Sequence, residues 1–236
     1  MKQKGKYIFI LVCTIILWNT DLIKPLKLFA VFLHELGHTF MSFVFGNGIQ
    51  ELRINLNESG YAVTMPKNWF SAFMIANGGY LGSILFALLI LYLKRTKFKK
   101  LIMGMVAVIL LAVAIKFSGI SFTLLYAAIF AAFVIIIYML QNEKLEDWVI
   151  DIIGVASVAY AIYDTFVDTI LLQLNLKFHL LNGWGGTQPM TDAVQLEKMT
   201  HIPAVAWGAL WLVIAFFAVN AVILKGGSPS KSRKRG

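Results

Sequence analysis

His34, Glu35 and His38 stand in the order H-E-x-x-H inside the apolar run Leu28–Phe45. On a helix the two histidines fall one turn apart on a single face. Their ring nitrogens can then close on one zinc ion, with Glu35 beside the metal as general base. Two imidazoles and a carboxylate among Leu, Phe, Val and Met are costly to bury, and ionisable groups in such a setting mark functional sites. The bland alternative is a polar knot in which the histidines hydrogen-bond carbonyls of neighbouring helices. The spacing favours the metal.

A catalytic zinc takes three protein ligands and keeps one position open. Three aspartates can supply the third. Asp164 and Asp168 are four residues apart, hence on one helical face, within Tyr160–Leu172. If the helices alternate in direction, their helix runs parallel to that of the histidines. His34 and His38 then lie roughly 16 and 10 Å from the helix end at Phe45, and Asp164 and Asp168 roughly 15 and 9 Å from Leu174, at 1.5 Å per residue. The levels match. Asp192, in Thr191-Asp192-Ala193, follows on the same side and can fold in over the site, although an Asp opening a helix also reads as an N-cap. For Asp164 and Asp168 the competing role is a proton relay or a polar helix contact. The choice among the three stays open. Asn77, within Ala76–Ser83, puts an amide at depth that can position a substrate carbonyl, with helix packing as its competing role.

The elements that must position these groups belong to an integral membrane protein. Of 236 residues, 59% are hydrophobic and 14% charged, and no polar block or Ser/Pro-rich linker marks a separate soluble domain. Residues 1–225 read as one integral-membrane domain and 226–236 as a basic, disordered tail. The single cysteine, Cys13, excludes an internal disulfide and a cysteine-based zinc site. The net charge of +9 lies in short clusters flanking apolar runs, which is topogenic placement and no sign of a nucleic-acid partner.

An all-α polytopic fold of six to seven transmembrane helices is expected, with a small β-hairpin between the second and third. Tyr7–Ile23 reads as a retained first transmembrane helix. Pro25 suits the first turn of the second, which stops at Gly46-Asn47-Gly48. Ile49–Leu56 alternates, Asn57-Glu58-Ser59-Gly60 is a turn, and Tyr61–Met65 resumes the strand pattern. Phe70–Leu93, Leu101–Lys116, Phe117–Leu140, Trp148–Leu174 and about Ala204–Leu224 complete the helices. Lysine and arginine counts put Lys94–Lys100 and the tail in the cytoplasm, and seven spans would then put the N-terminus outside.

The motif His34-Glu35-Leu36-Gly37-His38 in an early membrane helix resembles the site-2 protease clan of intramembrane zinc metallopeptidases. Within that clan the chain is similar to the compact, membrane-only M50B-like group of bacteria, plants and fungi. Gly78-Gly79-Tyr80-Leu81-Gly82-Ser83 resembles that group's glycine-rich block. Tyr163-Asp164, Asp168 and Thr191-Asp192-Ala193 resemble its later acidic block, and His201-Ile202-Pro203 with Trp207-Gly208 and Trp211 its closing block. Better-known clan members carry the third ligand in an Asp-Gly pair after Asn-x-x-Pro, which this chain lacks, and Thr191 stands where serine is usual.

The resemblance implies proteolysis of a membrane-protein substrate in a lipid bilayer, in a multi-pass protein of a bacterial plasma membrane. Zinc would activate a water, Glu35 would take its proton, and the hairpin edge would hold the unwound substrate as an added strand. The rival reading is a zinc-binding membrane protein without protease activity, an ion transporter or a regulatory pseudoenzyme.

Overall fold

The computed structural model describes residues 3–179 and 190–225; Gly183-Trp184-Gly185-Gly186 and the tail 226–236 lie outside the described residues. The chain is mostly helical: α1 (Gln3–Ile16), α2 (Lys24–Phe45), a hairpin of β1 (Ile49–Ile54) and β2 (Gly60–Thr64), α3 (Trp69–Leu93), α4 (Ile102–Phe117), α5 (Phe122–Met139), α6 (Glu143–Phe166), α7 (Leu172–Phe178), α8 (Asp192–Thr200) and α9 (Ala204–Val219). A π-helical turn at Val167–Leu171 joins α6 to α7 without a break. Among the described residues six helical segments are long and apolar enough to cross a membrane: Lys24–Phe45, Trp69–Leu93, Lys99–Phe117, Phe122–Met139, Glu143–Phe178 and Ala204–Ile223. The protein is a multi-pass membrane protein.

Local chemistry sets the boundaries. Pro25 occupies the first turn of α2, where its missing N–H leaves no bond unmade. The helix stops at Gly46, whose N–H bonds back to the Ser42 carbonyl at 2.9 Å. Asn68 and Ser71 form a reciprocal capping box that starts α3. Asn142 caps α6 by accepting from the Lys144 and Leu145 N–H groups.

The hairpin is antiparallel, with Leu52 opposite Ala62 and Ile54 opposite Gly60. It folds back along α2, so that Glu58 in its turn reaches Lys27, near the start of that helix, at 3.0 Å. The strands therefore lie at membrane depth. β1 is packed into the core, with Leu52 and Ile54 buried, and Thr123 Oγ1 at the start of α5 accepts from the Ile54 N–H at 2.9 Å. Among the described residues β1 is the one strand neighbour of β2, whose other edge is unpaired.

Contacts fix the helix directions. Phe45 meets Phe70, and Gly37 lies against Gly78 and Gly82, so α2 and α3 are antiparallel. Lys94 pairs with Asp147 and Asp151, and Leu91 covers Gly154, so α3 and α6 are antiparallel too. Hence α2 and α6 are parallel, as the depth comparison assumed. The reading of Tyr7–Ile23 as a membrane-spanning helix is corrected. α1 has 14 residues, about 21 Å at 1.5 Å per residue, against a hydrocarbon core of about 30 Å. It starts beside the start of α6, where Lys6 bonds Asp147 and Asp151, and ends with Trp18 stacked on Tyr160. The N-terminus therefore shares an end of the bundle with Lys94–Lys100, and does not lie opposite them.

That shared end is held by buried charges. Lys6 and Lys94 converge on Asp151, which has no exposed surface, and both also bond Asp147; Lys6 further sits 4.1 Å over the Trp148 ring. Pairing keeps these ions where either sign alone would be expelled.

Candidate metal centre

The site forms where α2, α3 and α8 meet. Gly37, inside the H-E-x-x-H motif, has no room for a side chain: a Cβ there would run into the Gly78 carbonyl. Glycines at 37, 78 and 82 thus bring the α2 and α3 backbones together. α8 is held against α3 by a second apolar cluster in which Ala193, Val194 and Leu196 pack with Ala76, Tyr80, Trp207 and Trp211. The N-cap of α8 is Thr191, whose Oγ1 accepts from the Val194 N–H at 3.4 Å. Asp192 is thereby released from the capping role its position allows.

Its carboxylate turns to the histidines. Asp192 Oδ2 lies 3.3 Å from His34 Nε2 and 3.1 Å from His38 Nε2, and the two Nε2 atoms are 3.2 Å apart. These three residues are the set, among the described residues, whose ligand atoms are close enough to share one ion. Among the described residues Asp192 Oδ2 is buried with no polar partner beyond these two imidazoles. Burial pushes the Asp192 carboxyl up, but the two imidazoles outweigh it and hold the group below the usual carboxylate range.

Directly beneath is Gly79. A Cβ built on it would stand 2.5 Å from each of His34 Nε2, His38 Nε2 and Asp192 Oδ2. The absent side chain thus leaves a space equidistant from three donor atoms, and two imidazoles with a carboxylate are a catalytic zinc donor set. The residues present fit the ion. His38 is further oriented by its Nδ1, 2.8 Å from the Ile75 carbonyl.

The centre opens into a cavity of about 590 Å³. Glu35, 5% exposed, reaches it from α2, and Gly60 of β2 packs on the Glu35 carboxylate. The open edge of β2 forms one wall, through Gly60, Tyr61, Ala62 and Thr64. Asp164 and Asp168 also line this cavity. They share it with the histidines, but among the described residues they are not in the set whose ligand atoms could share one ion. Asn77 is not among the cavity-lining residues. Its Nδ2 donates to the Phe73 carbonyl and its Oδ1 accepts from Trp211 Nε1 at 3.0 Å, which ties α3 to α9.

Sequence reasoning missed Tyr80 and the particular place of Gly79. Both stand in the Gly78–Ser83 block, whose small residues signalled close packing but gave no hint of what would lie above them.

A bundle of membrane-crossing helices with two histidines, a glutamate and an aspartate converging on a buried cavity defines a class, the membrane-embedded proteins able to carry a metal centre. A model of the M50B-like peptidase family matches residues 7–222, and the chain belongs to that family, which is the site-2 protease family. No curated protein and no solved structure matches.

Proposed function

We propose that the protein is an intramembrane zinc metalloendopeptidase that hydrolyses a peptide bond in or near the transmembrane segment of another membrane protein. The observation that carries this reading is the convergence of His34, His38 and Asp192 around the space above Gly79, with Glu35 on the same cavity. His34, His38 and Asp192 hold the ion, and Asp192 is the third ligand. Bound zinc supplies a Lewis acid that polarises a carbonyl and lowers the pKa of water. Glu35 accepts the proton of the attacking water and returns it to the leaving amine. A substrate helix must unwind before its carbonyl can be attacked, and unwound backbone in a membrane needs hydrogen-bonding partners. The open edge of β2 offers them along the cavity wall, by strand addition.

A second reading, an ion-conducting or regulatory zinc protein, is favoured by Asp164 and Asp168 on the same cavity, since such acids also mark ion pathways. Elemental analysis of the detergent-purified protein tests the metal centre that both readings share, and cleavage by Glu35→Gln separates them. About one zinc per chain is expected on the three-ligand scheme, lost in His34→Ala, His38→Ala and Asp192→Ala but kept in Asp164→Asn. Glu35→Gln is expected to keep the zinc and abolish cleavage of a reconstituted membrane substrate. Cleavage surviving in Glu35→Gln would remove Glu35 from the mechanism, and a metal-free wild type that takes up none would end the metallopeptidase reading.

A further inference from the structure

The two histidines are supported in unlike ways. His38 has its Nδ1 on the Ile75 carbonyl, whereas His34 Nδ1 is buried with no hydrogen-bond partner among the described residues. An imidazole that must aim its Nε2 at a shared ion needs its ring plane fixed by something else. Tyr80 is placed to do it. Its ring meets the His34 ring edge-on, with centroids 4.6 Å apart at 81°. Tyr80 is itself buried, and it leans on Trp211 of α9 at 4.9 Å. Its hydroxyl donates to Asp168 Oδ2 at 3.1 Å.

Asp168 lies in the π-helical turn between α6 and α7, the irregular part of an otherwise continuous 36-residue helix. Such turns change which way a side chain is aimed and recur at functional sites. Against this turn α9 packs closely: a Cβ on Gly208 would collide with Thr169.

We infer that Tyr80 and Asp168 are a positioning pair for His34, in which Asp168 anchors the Tyr80 hydroxyl and the Tyr80 ring sets the plane of the imidazole. The π-helical turn thereby tunes the metal centre without contributing a ligand to it. The inference rests on the metal-centre reading above. It gives Asp168 a role as hydrogen-bond acceptor, where a ligand or a proton relay would require its negative charge.

The difference is testable on the full chain in detergent, with zinc affinity measured by chelator competition and the visible spectrum of the cobalt(II)-loaded protein as the signature of ligand geometry. Asp168→Leu removes the acceptor and is expected to weaken zinc binding roughly ten-fold, the scale of losing an outer hydrogen-bond partner, and to alter the cobalt spectrum. Asp168→Asn keeps an acceptor oxygen and is expected to restore wild-type affinity and spectrum. Tyr80→Phe should match Asp168→Leu, and the Tyr80→Phe/Asp168→Leu double variant should be no worse than either alone.

Asparagine failing as badly as leucine would overturn the inference, because the charge of Asp168 would then be what matters. Wild-type behaviour of both Tyr80→Phe and Asp168→Leu would overturn it as well. Either result leaves the metal centre standing, whereas a wild type that binds neither metal ends the underlying reading and the inference with it.

Discussion

Gly79 shows how much chemistry a missing side chain can carry. A methyl group on it would stand 2.5 Å from each of three donor atoms. In an ordinary helix Gly→Ala adds about 1 kcal/mol of stability, because alanine loses less backbone freedom. Here Gly79→Ala is expected to leave the helical circular dichroism intact while lowering bound zinc by more than ten-fold, read by elemental analysis. Retention of full zinc would place the ion elsewhere. Asp192 makes the complementary point. Thr191 takes the cap, and the neighbouring carboxylate is thereby left free for the histidines.

At the scale of elements, the α1, α3 and α6 ends are held by Lys6 and Lys94 on Asp151 and Asp147. Removing the acid leaves two buried ammonium groups short of a partner, so Asp151→Asn is expected to cost about 3–5 kcal/mol, read as a lower midpoint of thermal or denaturant unfolding in detergent. Replacing Lys6, Lys94 and Asp151 together by apolar residues should cost less than the single change, because no unpaired ion is left behind. An Asp151→Asn protein as stable as wild type would show that the cluster contributes no net stability. The hairpin is the other element that matters. Its first strand packs into the core, where Thr123 Oγ1 takes the Ile54 N–H, and residues of its second line the cavity. Open edges are tolerated at membrane depth where they border such a space.

For the whole molecule, the helix directions collect positive charge at one end. Lys4, Lys6, Lys94, Arg95, Lys97, Lys99 and Lys100 stand there, and Arg95 bonds the Val222 carbonyl, which brings the segment before the basic tail to the same end. The hairpin end holds the scattered Lys67, Lys116, Lys177 and Lys198. Positive residues stay cytoplasmic, so the metal centre and hairpin are expected to open to the other side. In a Cys13→Ala background, Lys67→Cys should react with a membrane-impermeant maleimide in intact cells, and Lys97→Cys should react after permeabilisation. The reverse pattern would place the site on the cytoplasmic side.

Much of this was legible in the sequence because the physics behind it is local. The apolar runs dictate helices that can cross a membrane, Pro25 and Gly46 bound the motif helix, and alternation at Ile49–Thr64 against a Gly-containing turn encodes the hairpin. The four-residue spacing of His34 and His38 requires a shared face on any helix. Depth along a helix could be counted too, and Asp164 and Asp168 do line the same cavity as the two histidines. Depth is one coordinate of three, however, and what separates Asp192 from the other two acids is lateral. That separation depends on α8 packing against α3 and on a threonine taking the cap. The fate of the first apolar run depended on tertiary structure for a similar reason. Hydropathy records that Tyr7–Ile23 avoids water, but whether it crosses the membrane or stops partway was decided by Lys6 finding Asp147 and Asp151, more than a hundred residues along the chain. Sequence determined which segments leave water and which residues carry side chains of metal-ligating type. Tertiary structure alone decided which of them meet, because side-chain convergence depends on packing between distant helices.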